Sequence, residues 1–277
     1  MNTLTYSPKD FLQEICQEEG IAYKSLSQDY ISRLTRNGVT RHVLWSNWDI
    51  NPAAADRIAC DKAACFAVLE ECGVPAVPHH LLQHPYRRQD WVHESGTWKQ
   101  AHDLFESFGQ MAVLKPNRGT NGQNIHLCDS VQTLESAAHA IFENHPDVAM
   151  CPFYEIKTKY RVFHINGDTP LLYGKKPSPD NWRHNLSQGA TAFELDANDH
   201  FAKNLKSIAK KAADAIAINF CTVDIVELIS GELKVMEINS GVQARQLLEQ
   251  KPHLRPIIKD MYKQAVQGMF SKSVGNY

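Results

Sequence analysis

Residues 222–242 decide the fold and read Thr-Val-Asp-Ile-Val-Glu-Leu-Ile-Ser-Gly-Glu-Leu-Lys-Val-Met-Glu-Ile-Asn-Ser-Gly-Val. Two runs rich in β-branched residues, 222–229 and 233–238, flank the dipeptide Ser230-Gly231. Such a dipeptide is typical of hairpin turns, because glycine adopts a positive φ without steric strain. The stretch therefore predicts a β-hairpin.

The turn also predicts the register of this hairpin. If the dipeptide forms the whole turn, Ile229 lies opposite Glu232, and counting back places Asp224 opposite Glu237. Carboxylates that face each other on adjacent strands are about 5 Å apart and repel unless positive charge lies between them. A divalent cation is the simplest source of that charge.

Asn239 follows Glu237 by two residues and shares its face, where it adds a neutral oxygen ligand. Asp224, Glu237 and Asn239 leave much of a coordination shell open, which suits Mg²⁺ bound to waters and phosphates. The alternative is a solvated edge hairpin whose acids bind nothing. Apolar neighbours favour a buried hairpin, and buried carboxylates need partners. The pattern thus predicts a metal site at these three residues.

The composition is that of an ordinary globular chain. Its 277 residues are 43% hydrophobic and 22% charged. The net charge of -2 and the pI of about 6.7 indicate no basic surface for nucleic acid or an anionic membrane. No stretch approaches the roughly 18 apolar residues of a membrane span, and the first residues are too charged for a signal peptide. We expect a cytoplasmic protein with neither nucleic-acid nor membrane partners.

Cysteines and histidines show no metal-ligand spacing. The seven cysteines are scattered and form no CxxC pair, which favours reduced thiols in the core. The cluster of His79, His80, His84 and His93 lacks a ligand pattern and is interpreted as surface and loop histidine.

Hydrophobic periodicity predicts the remaining elements. The first 55 residues form a short α/β segment with weak patterning. Helices are expected at 8–19, from Lys62 to the stop at Gly73, around 104–108, and at 131–142, 201–219 and 254–270. Strands are expected at 39–45, 111–116, 125–128, 149–154, 155–165 and 171–176.

A lysine ends the predicted strand 111–116 and precedes a polar loop. Lys115 is followed by residues 117–124, which include the tight-turn signal Asn121-Gly122. A plain hairpin turn is one interpretation. The other is a phosphate-binding loop, in which small residues expose backbone N–H groups and the lysine supplies a point charge. The loop does not match the Walker pattern.

These pieces, in this order, resemble the ATP-grasp superfamily, most closely its ribosomal-protein glutamate-ligase and amino-acid ligase branch. The resemblance covers about residues 51–250. It is carried by Asp61-Lys62 opening a helix that ends in Gly73-Val74-Pro75, Val113-Leu114-Lys115-Pro116 with the loop 119–122, Tyr160-Arg161-Val162, Arg183-His184-Asn185-Leu186, and Val223-Asp224 with Glu237-Ile238-Asn239-Ser240.

The resemblance implies an α/β (α+β) ATP-grasp fold in which two lobes grip ATP. Residues 1–55 would form a short segment before the grasp, 56–150 the small lobe and 151–277 the large lobe with the metal-binding hairpin. Three departures from the family are visible. The region before Asp61 is short, no Ser-Pro-Gly follows Asn239-Ser240, and Lys159 stands where an acid that helps to hold the nucleotide is common, so that Glu155 would take that part.

The resemblance also implies roles for individual residues. It assigns Asp224, Glu237 and Asn239 to Mg²⁺, with Mn²⁺ as an alternative, in agreement with the face argument. It assigns ATP binding to Lys62, Lys115, the lid residues Gly119, Thr120, Asn121 and Gly122, the interlobe hinge Phe153, Tyr154 and Glu155, and Lys175. Arg183, with Asn185 beside it, and Arg161 are the implied catalytic residues.

The implied activity is carboxylate-amine ligation through an acyl phosphate, with an amino acid or peptide as substrate and a protein C-terminus as a further candidate. A kinase acting on a small hydroxyl compound and a nucleotide-binding module without turnover remain alternatives. Members of the family often form dimers or tetramers, so a homo-oligomer is one expectation, although nothing in the sequence locates an interface.

Overall fold

A computed structural model describes residues 6–87, 92–119, 122–177 and 186–271. The helices in this part of the chain are α1 (Pro8–Glu18), α2 (Ala53–Ala59), α3 (Lys62–Glu71), α4 (Thr97–Ser107), α5 (Val131–Phe142), α6 (His200–Ala215), α7 (Arg245–Gln250) and α8 (Arg255–Ser271). The strands are β1 (Ala22–Leu26), β2 (Ile31–Arg36), β3 (Val39–Leu44), β4 (Asn47–Trp48), β5 (His80–Gln83), β6 (Ala112–Pro116), β7 (His126–Cys128), β8 (Asp147–Pro152), β9 (Ile156–Ile165), β10 (Asp168–Lys176), β11 (Thr191–Glu194), β12 (Phe220–Leu228) and β13 (Leu233–Asn239).

The described strands form three antiparallel sheets. Their orders are β1-β2-β3-β4, β5-β8-β6-β7 and β11-β10-β9-β12-β13. The expected combination of helices with antiparallel sheets and a short N-terminal α/β segment is confirmed. Hydrophobic periodicity did not predict several short elements, namely β1, β2, β4, α2, β5, β11 and α7.

The five-stranded sheet is covered on both faces. On one face, the N-terminal segment and α8 pack against it, and Trp48 stacks on Tyr262 with ring centroids 5.0 Å apart while meeting Phe220 edge-on at 5.5 Å. On the other face, α6 packs together with α2 and α3, so that Leu69 and Leu205 share one core with Val223. Helix α3 therefore belongs to the core of this sheet. The lobe boundaries near residues 55 and 150 stay a prediction.

The four-stranded sheet β5-β8-β6-β7 has its own core. Phe105 of α4 and Ile141 of α5 pack there against Leu114 of β6 and Met150 of β8. The sheet ends at residue 152, and β9 of the larger sheet begins at residue 156. A connection of three residues thus joins the two sheets.

The predicted pairing of Asp224 with Glu237 is confirmed, but the predicted turn is wrong. The connection has three residues, Ile229 to Gly231, because the Leu228 N–H donates to the Glu232 carbonyl at 2.9 Å. Gly231 has a φ of 89°, as three-residue hairpin loops require. A bulge at Met236 then shifts the register back by one residue, since Ile225 pairs with Val235 while Asp224 pairs with Glu237.

The cysteine interpretation is confirmed, whereas the histidine interpretation fails at one residue. All seven cysteines are free, and five are buried: Cys16, Cys65, Cys128, Cys151 and Cys221. His79 is buried, because the segment leading into β5 runs beside β13, where the Val77 N–H donates to the Val235 carbonyl. No described helix combines the length and apolar character that a membrane crossing requires.

Candidate functional site

A row of polar side chains crosses four strands of the five-stranded sheet. Tyr173 on β10, Arg161 on β9, Asp224 on β12 and Glu237 on β13 are successive partners in register. Residues two positions along a strand share a face. Phe163 and Arg161 therefore lie on the same face of the sheet, Phe163 in the apolar core and Arg161 in the polar row. Along β9, this face changes from core to polar site.

Asp224 lies at the centre of a cationic cluster. Arg161 donates from Nε to Oδ1 at 2.6 Å and from Nη2 to Oδ2 at 2.8 Å. The Lys175 ammonium lies 3.2 Å from both carboxylate oxygens, and Lys159 Nζ lies 3.7 Å from Oδ2. Because the Asp224 side chain is 1% exposed, these contacts form in a largely dehydrated environment.

The cluster shifts the pKa values of its members. Burial favours the protonated carboxyl, but Arg161, Lys175 and Lys159 together hold the pKa of Asp224 well below its usual range. Burial and the neighbouring Arg161 lower the pKa of Lys175 to about 7, although Asp224 opposes the shift. Asp224 is therefore ionised, while Lys175 is a cation that loses its proton easily.

Protein cations lie beside one of the two facing carboxylates. Because the oxygens of Asp224 accept from Arg161 and Lys175, the repulsion argument by itself does not require a divalent cation there. Glu237 is half-buried beside this cluster. The Asn239 side-chain nitrogen is buried and, among the described residues, has no hydrogen-bond partner. Rotation of the side-chain amide by about 180° would place the Asn239 oxygen at the position that its nitrogen now occupies.

Glu237 and Asn239 therefore fit a hard cation, since both bring oxygens to one face. Asp224 fits only if Lys175 gives up its contacts. Among the described residues, no group of three or more His, Cys, Asp or Glu side chains has a metal-binding arrangement. The assignment of these three residues to a metal stays a prediction.

Lys62 holds the base of the loop that follows β6. Its ammonium donates to the carbonyls of Pro116 and Asn117, each at 3.3 Å, and of Gly119 at 3.0 Å. Burial lowers the pKa of Lys62, and Lys115 adds to the effect while Glu237 opposes it. Lys62 and Lys115 are thus close enough to repel each other, as two lysines around one anion would be.

Asp61 and Asn117 form a hydrogen-bonded pair that fixes the position of Lys62 beside the loop, and the sequence did not reveal this pair. Asp61 caps α3 by accepting from the Ala64 N–H at 3.0 Å, and its Oδ1 also accepts from Asn117 Nδ2 at 2.8 Å. Asn117 Oδ1 accepts from the Ala63 N–H at 3.0 Å. Asn117 therefore ties the loop to the start of α3 and so places Lys62. The sequence indicated that Asp61-Lys62 opens a helix, but it did not reveal the contact of Asp61 with Asn117, 56 residues away.

Lys115 and His79 also lie near Lys62. Lys115 is buried at the end of β6, and its ammonium lies 3.8 Å from Sδ of Met236, the bulged residue. The His79 ring bonds the Val77 carbonyl through Nδ1 at 2.8 Å, while its buried Nε2 has no partner among the described residues. Burial, Lys115 and Lys62 together hold the pKa of His79 well below its usual range.

The predicted hinge connects the sheet β5-β8-β6-β7 to the five-stranded sheet. Residues 153–155 link β8 to β9, the Phe153 N–H donates to the Met111 carbonyl at 3.1 Å, and the Glu155 carbonyl accepts from the Ile229 N–H at 3.1 Å. Each sheet thus anchors one end of this segment. Tyr154 lies between the two anchored residues, with Lys234 Nζ 5.8 Å from its ring centre.

Some predicted site residues lie outside the described part of the chain, namely Thr120, Asn121, Arg183 and Asn185. The structure brings the other predicted residues to the row, to the loop base or to the hinge. Gly122 has a φ of 69°, as a tight turn requires. A Cβ on Gly119 would lie 3.0 Å from Cβ of Pro116, so the loop turns back closely on its own strand.

Comparison with known proteins identifies relatives of this arrangement. A family model described as a RimK-like ATP-grasp domain matches residues 59–252. A probable alpha-L-glutamate ligase of Legionella pneumophila (strain Corby) is 26% identical over 206 residues, which is 73% of this chain. The chain spans 63% of the length of that relative.

Solved structures share the fold at lower identity. The D-alanine–D-alanine ligase of Bacillus anthracis superposes with a TM-score of 0.59 at 15% identity, over 81% of this chain and 70% of the ligase. D-cycloserine synthetase DcsG superposes with a TM-score of 0.57 at 18% identity, over 78% of this chain and 72% of the synthetase. At these identities the likeness concerns the fold.

Proposed function

The chain belongs to the RimK-like ATP-grasp family, and on that basis we propose that it is an ATP- and Mg²⁺-dependent carboxylate-amine ligase. Its substrates are amino acids or peptides. The Legionella relative is named a probable alpha-L-glutamate ligase, so L-glutamate is the first amino acid to test.

The observation that carries this proposal is the excess of buried and half-buried positive charge at the site. Among the described residues, five cations from α3, β6, β9 and β10 outnumber the three carboxylates beside them, those of Asp61, Asp224 and Glu237: Lys62, Lys115, Lys159, Arg161 and Lys175. Uncompensated buried cations are costly, and a ligand rich in anionic oxygens offsets that cost. The phosphates of ATP together with a substrate carboxylate are such a ligand.

The chemistry requires this charge. An amine does not displace oxide from a carboxylate, so phosphoryl transfer from ATP first converts that oxygen into a leaving group. The amine then displaces phosphate and forms the amide. Positioned cations stabilise the charge on the transferring phosphoryl group, and no protein nucleophile is needed. Lys62 and Lys115 suit the phosphates, because they lie beside the loop that follows β6.

Glu237 and Asn239 would hold Mg²⁺, and Asp224 would join them on release of Lys175. The ion would shield phosphate charge as the phosphoryl group moves. We place adenine at the hinge 153–155, between the sheet of the small lobe and that of the large lobe. The anchored ends of this segment keep its backbone in place.

The direct test is ADP release from ATP and Mg²⁺ with amino acids and short peptides, offered singly and in pairs, with mass spectrometry of the products. We expect release that depends on two components and a product mass equal to their sum minus water. A hydroxyl compound that gains the mass of a phosphoryl group would identify a kinase instead. ATP binding without turnover across the panel would point to a protein substrate or to a nucleotide-binding module.

A further inference from the structure

Lys159 is a cation of the site face that its neighbours do not satisfy. Its side chain is 15% exposed, and its ammonium lies 3.7 Å from Asp224 Oδ2, which is beyond hydrogen-bonding distance. A carboxylate offers about four lone-pair positions. Arg161 and Lys175 already contact both oxygens of Asp224, so this carboxylate has no position left for Lys159.

Among its described neighbours, Lys159 finds no other hydrogen-bond acceptor. Across β10 its partner in register is Lys175, and across β12 it is Val226. Within residues 6–87, 92–119, 122–177 and 186–271, no atom accepts a hydrogen bond from its ammonium. An ammonium has three donors, and leaving them unpaired in a mostly buried position is costly.

Lys157 shows how another lysine of this strand is satisfied. It is 61% exposed, and its ammonium lies 2.7 Å from Oε1 of Glu227. Tyr160 donates to the other oxygen of Glu227 at 2.8 Å, on the sheet face opposite to Asp224. Two lysines of one strand thus differ in that only Lys157 has a partner within hydrogen-bonding distance.

We propose that Lys159 forms an anion-binding subsite that takes an oxyanion of the bound ligand, either a phosphoryl oxygen of the nucleotide or a carboxylate of the substrate. The subsite rests on the proposed function in that it lies in the same site. Because β9 is paired with β10 on one side and with β12 on the other, the subsite is preformed on a rigid strand. The ligand oxyanion accepts the hydrogen bonds from Lys159 that Asp224 cannot accept.

Equilibrium binding tests the subsite without requiring turnover. Adenosine, AMP, ADP and a non-hydrolysable ATP analogue form one titration series, and L-glutamate and its dimethyl ester form the other. The proteins are wild type, Lys159→Met, Lys159→Arg and, as matched control, Lys157→Met. We expect Lys159→Met to weaken the anionic members of one series about tenfold or more at low salt, because a charge-assisted hydrogen bond is lost.

The two series distinguish the source of the oxyanion. Weakening that appears with AMP, ADP or the ATP analogue but not with adenosine identifies a phosphoryl group. Weakening of L-glutamate but not of its ester identifies a carboxylate. Lys159→Arg should retain most of the affinity, and Lys157→Met should bind as wild type does.

Two results would overturn the subsite. One is equal affinity of wild type and Lys159→Met for every anion, including the absence of binding to either protein. The other is an equal loss for adenosine and for its phosphates, which would indicate a structural role. If Lys159→Met does not fold, Lys159→Gln replaces it in the same titrations. Failure of the ligase proposal appears separately, as absent amide product in the turnover assay.

Discussion

Arg161 donates hydrogen bonds of 2.6 and 2.8 Å to the two carboxylate oxygens of Asp224, which lies directly opposite it on the neighbouring strand. Removal of Arg161 takes two hydrogen bonds from the buried carboxylate, although Lys175 and Lys159 remain beside it. We therefore expect Arg161→Met to lower the free energy of unfolding by about 2 kcal/mol, measured by urea denaturation. Arg33→Ala, at an exposed arginine of β2, is the control and should change little. A loss below about 1 kcal/mol in Arg161→Met would argue against the pair as a source of stability.

Glu237 differs from Asp224 in its expected effect on stability. It is half-buried and stands outside the hydrogen-bonded cluster of Arg161, Lys175 and Asp224. We expect Glu237→Ala to keep the free energy of unfolding within about 1 kcal/mol of wild type. Turnover should be abolished if Glu237 holds the metal, as measured by ADP release. A normal kcat in this variant would refute the metal assignment.

Asn117 should matter more than its loop position suggests. Asn117→Ala removes one of the two donors to Asp61 Oδ1 and the acceptor of the Ala63 N–H. An unsatisfied N–H costs about 1–3 kcal/mol, so we expect a lower melting temperature and a raised KM for ATP, because Lys62 loses its support. Asn144→Ala, at an exposed residue after α5, is the matched control. Equal melting temperatures for the two variants would contradict the proposed role of Asn117.

His79 predicts a pH dependence of stability. Its pKa is depressed in the folded protein by burial, Lys115 and Lys62, so the folded state stays neutral where the unfolded chain binds a proton. The contribution is complete above the unfolded pKa of about 6.5 and is lost as pH falls below it, by up to about 1.4 kcal/mol per pH unit. His80 and His164 have lowered pKa values as well and act in the same direction.

The change His79→Gln should therefore flatten the dependence of the unfolding free energy on pH between 7 and 5. Urea denaturation at several pH values measures the slope. His42→Gln, at an exposed histidine of β3, should leave the slope unchanged. A wild-type slope in His79→Gln would show that His79 does not provide the linkage.

The sequence predicted the features that depend on local pattern. Asp224 and Glu237 were placed opposite each other from a short segment, and α5 was placed at the residues it occupies, Val131–Phe142. Features that depend on strand order were not predicted. Lys159 and Arg161 share a face by alternation, but nothing local indicated that β9 lies between β10 and β12 and so brings both residues to Asp224.

The same reason explains the burial of His79 and the role of Asn117. Both follow from contacts between segments far apart in the chain, Val77 with Val235 and Asp61 with Asn117. In the N-terminal sheet only β3 was predicted, and the short strands β1, β2 and β4 were missed, although the Asn37-Gly38 turn that joins β2 to β3 is a hairpin signal that could have found β2. Alternation is weak over so few residues.

The three-residue turn shifts the register of the hairpin by one residue relative to a two-residue turn, and the Met236 bulge shifts it back. The extra turn residue and the bulged residue therefore compensate for each other. Either change alone would rotate Glu237 away from Asp224 and towards the apolar core that Val235 and Ile238 share with α2 and α3. The length of the turn and the presence of the bulge should therefore change together among relatives. We expect relatives with a two-residue turn to lack the bulge and to keep the two carboxylates opposite each other.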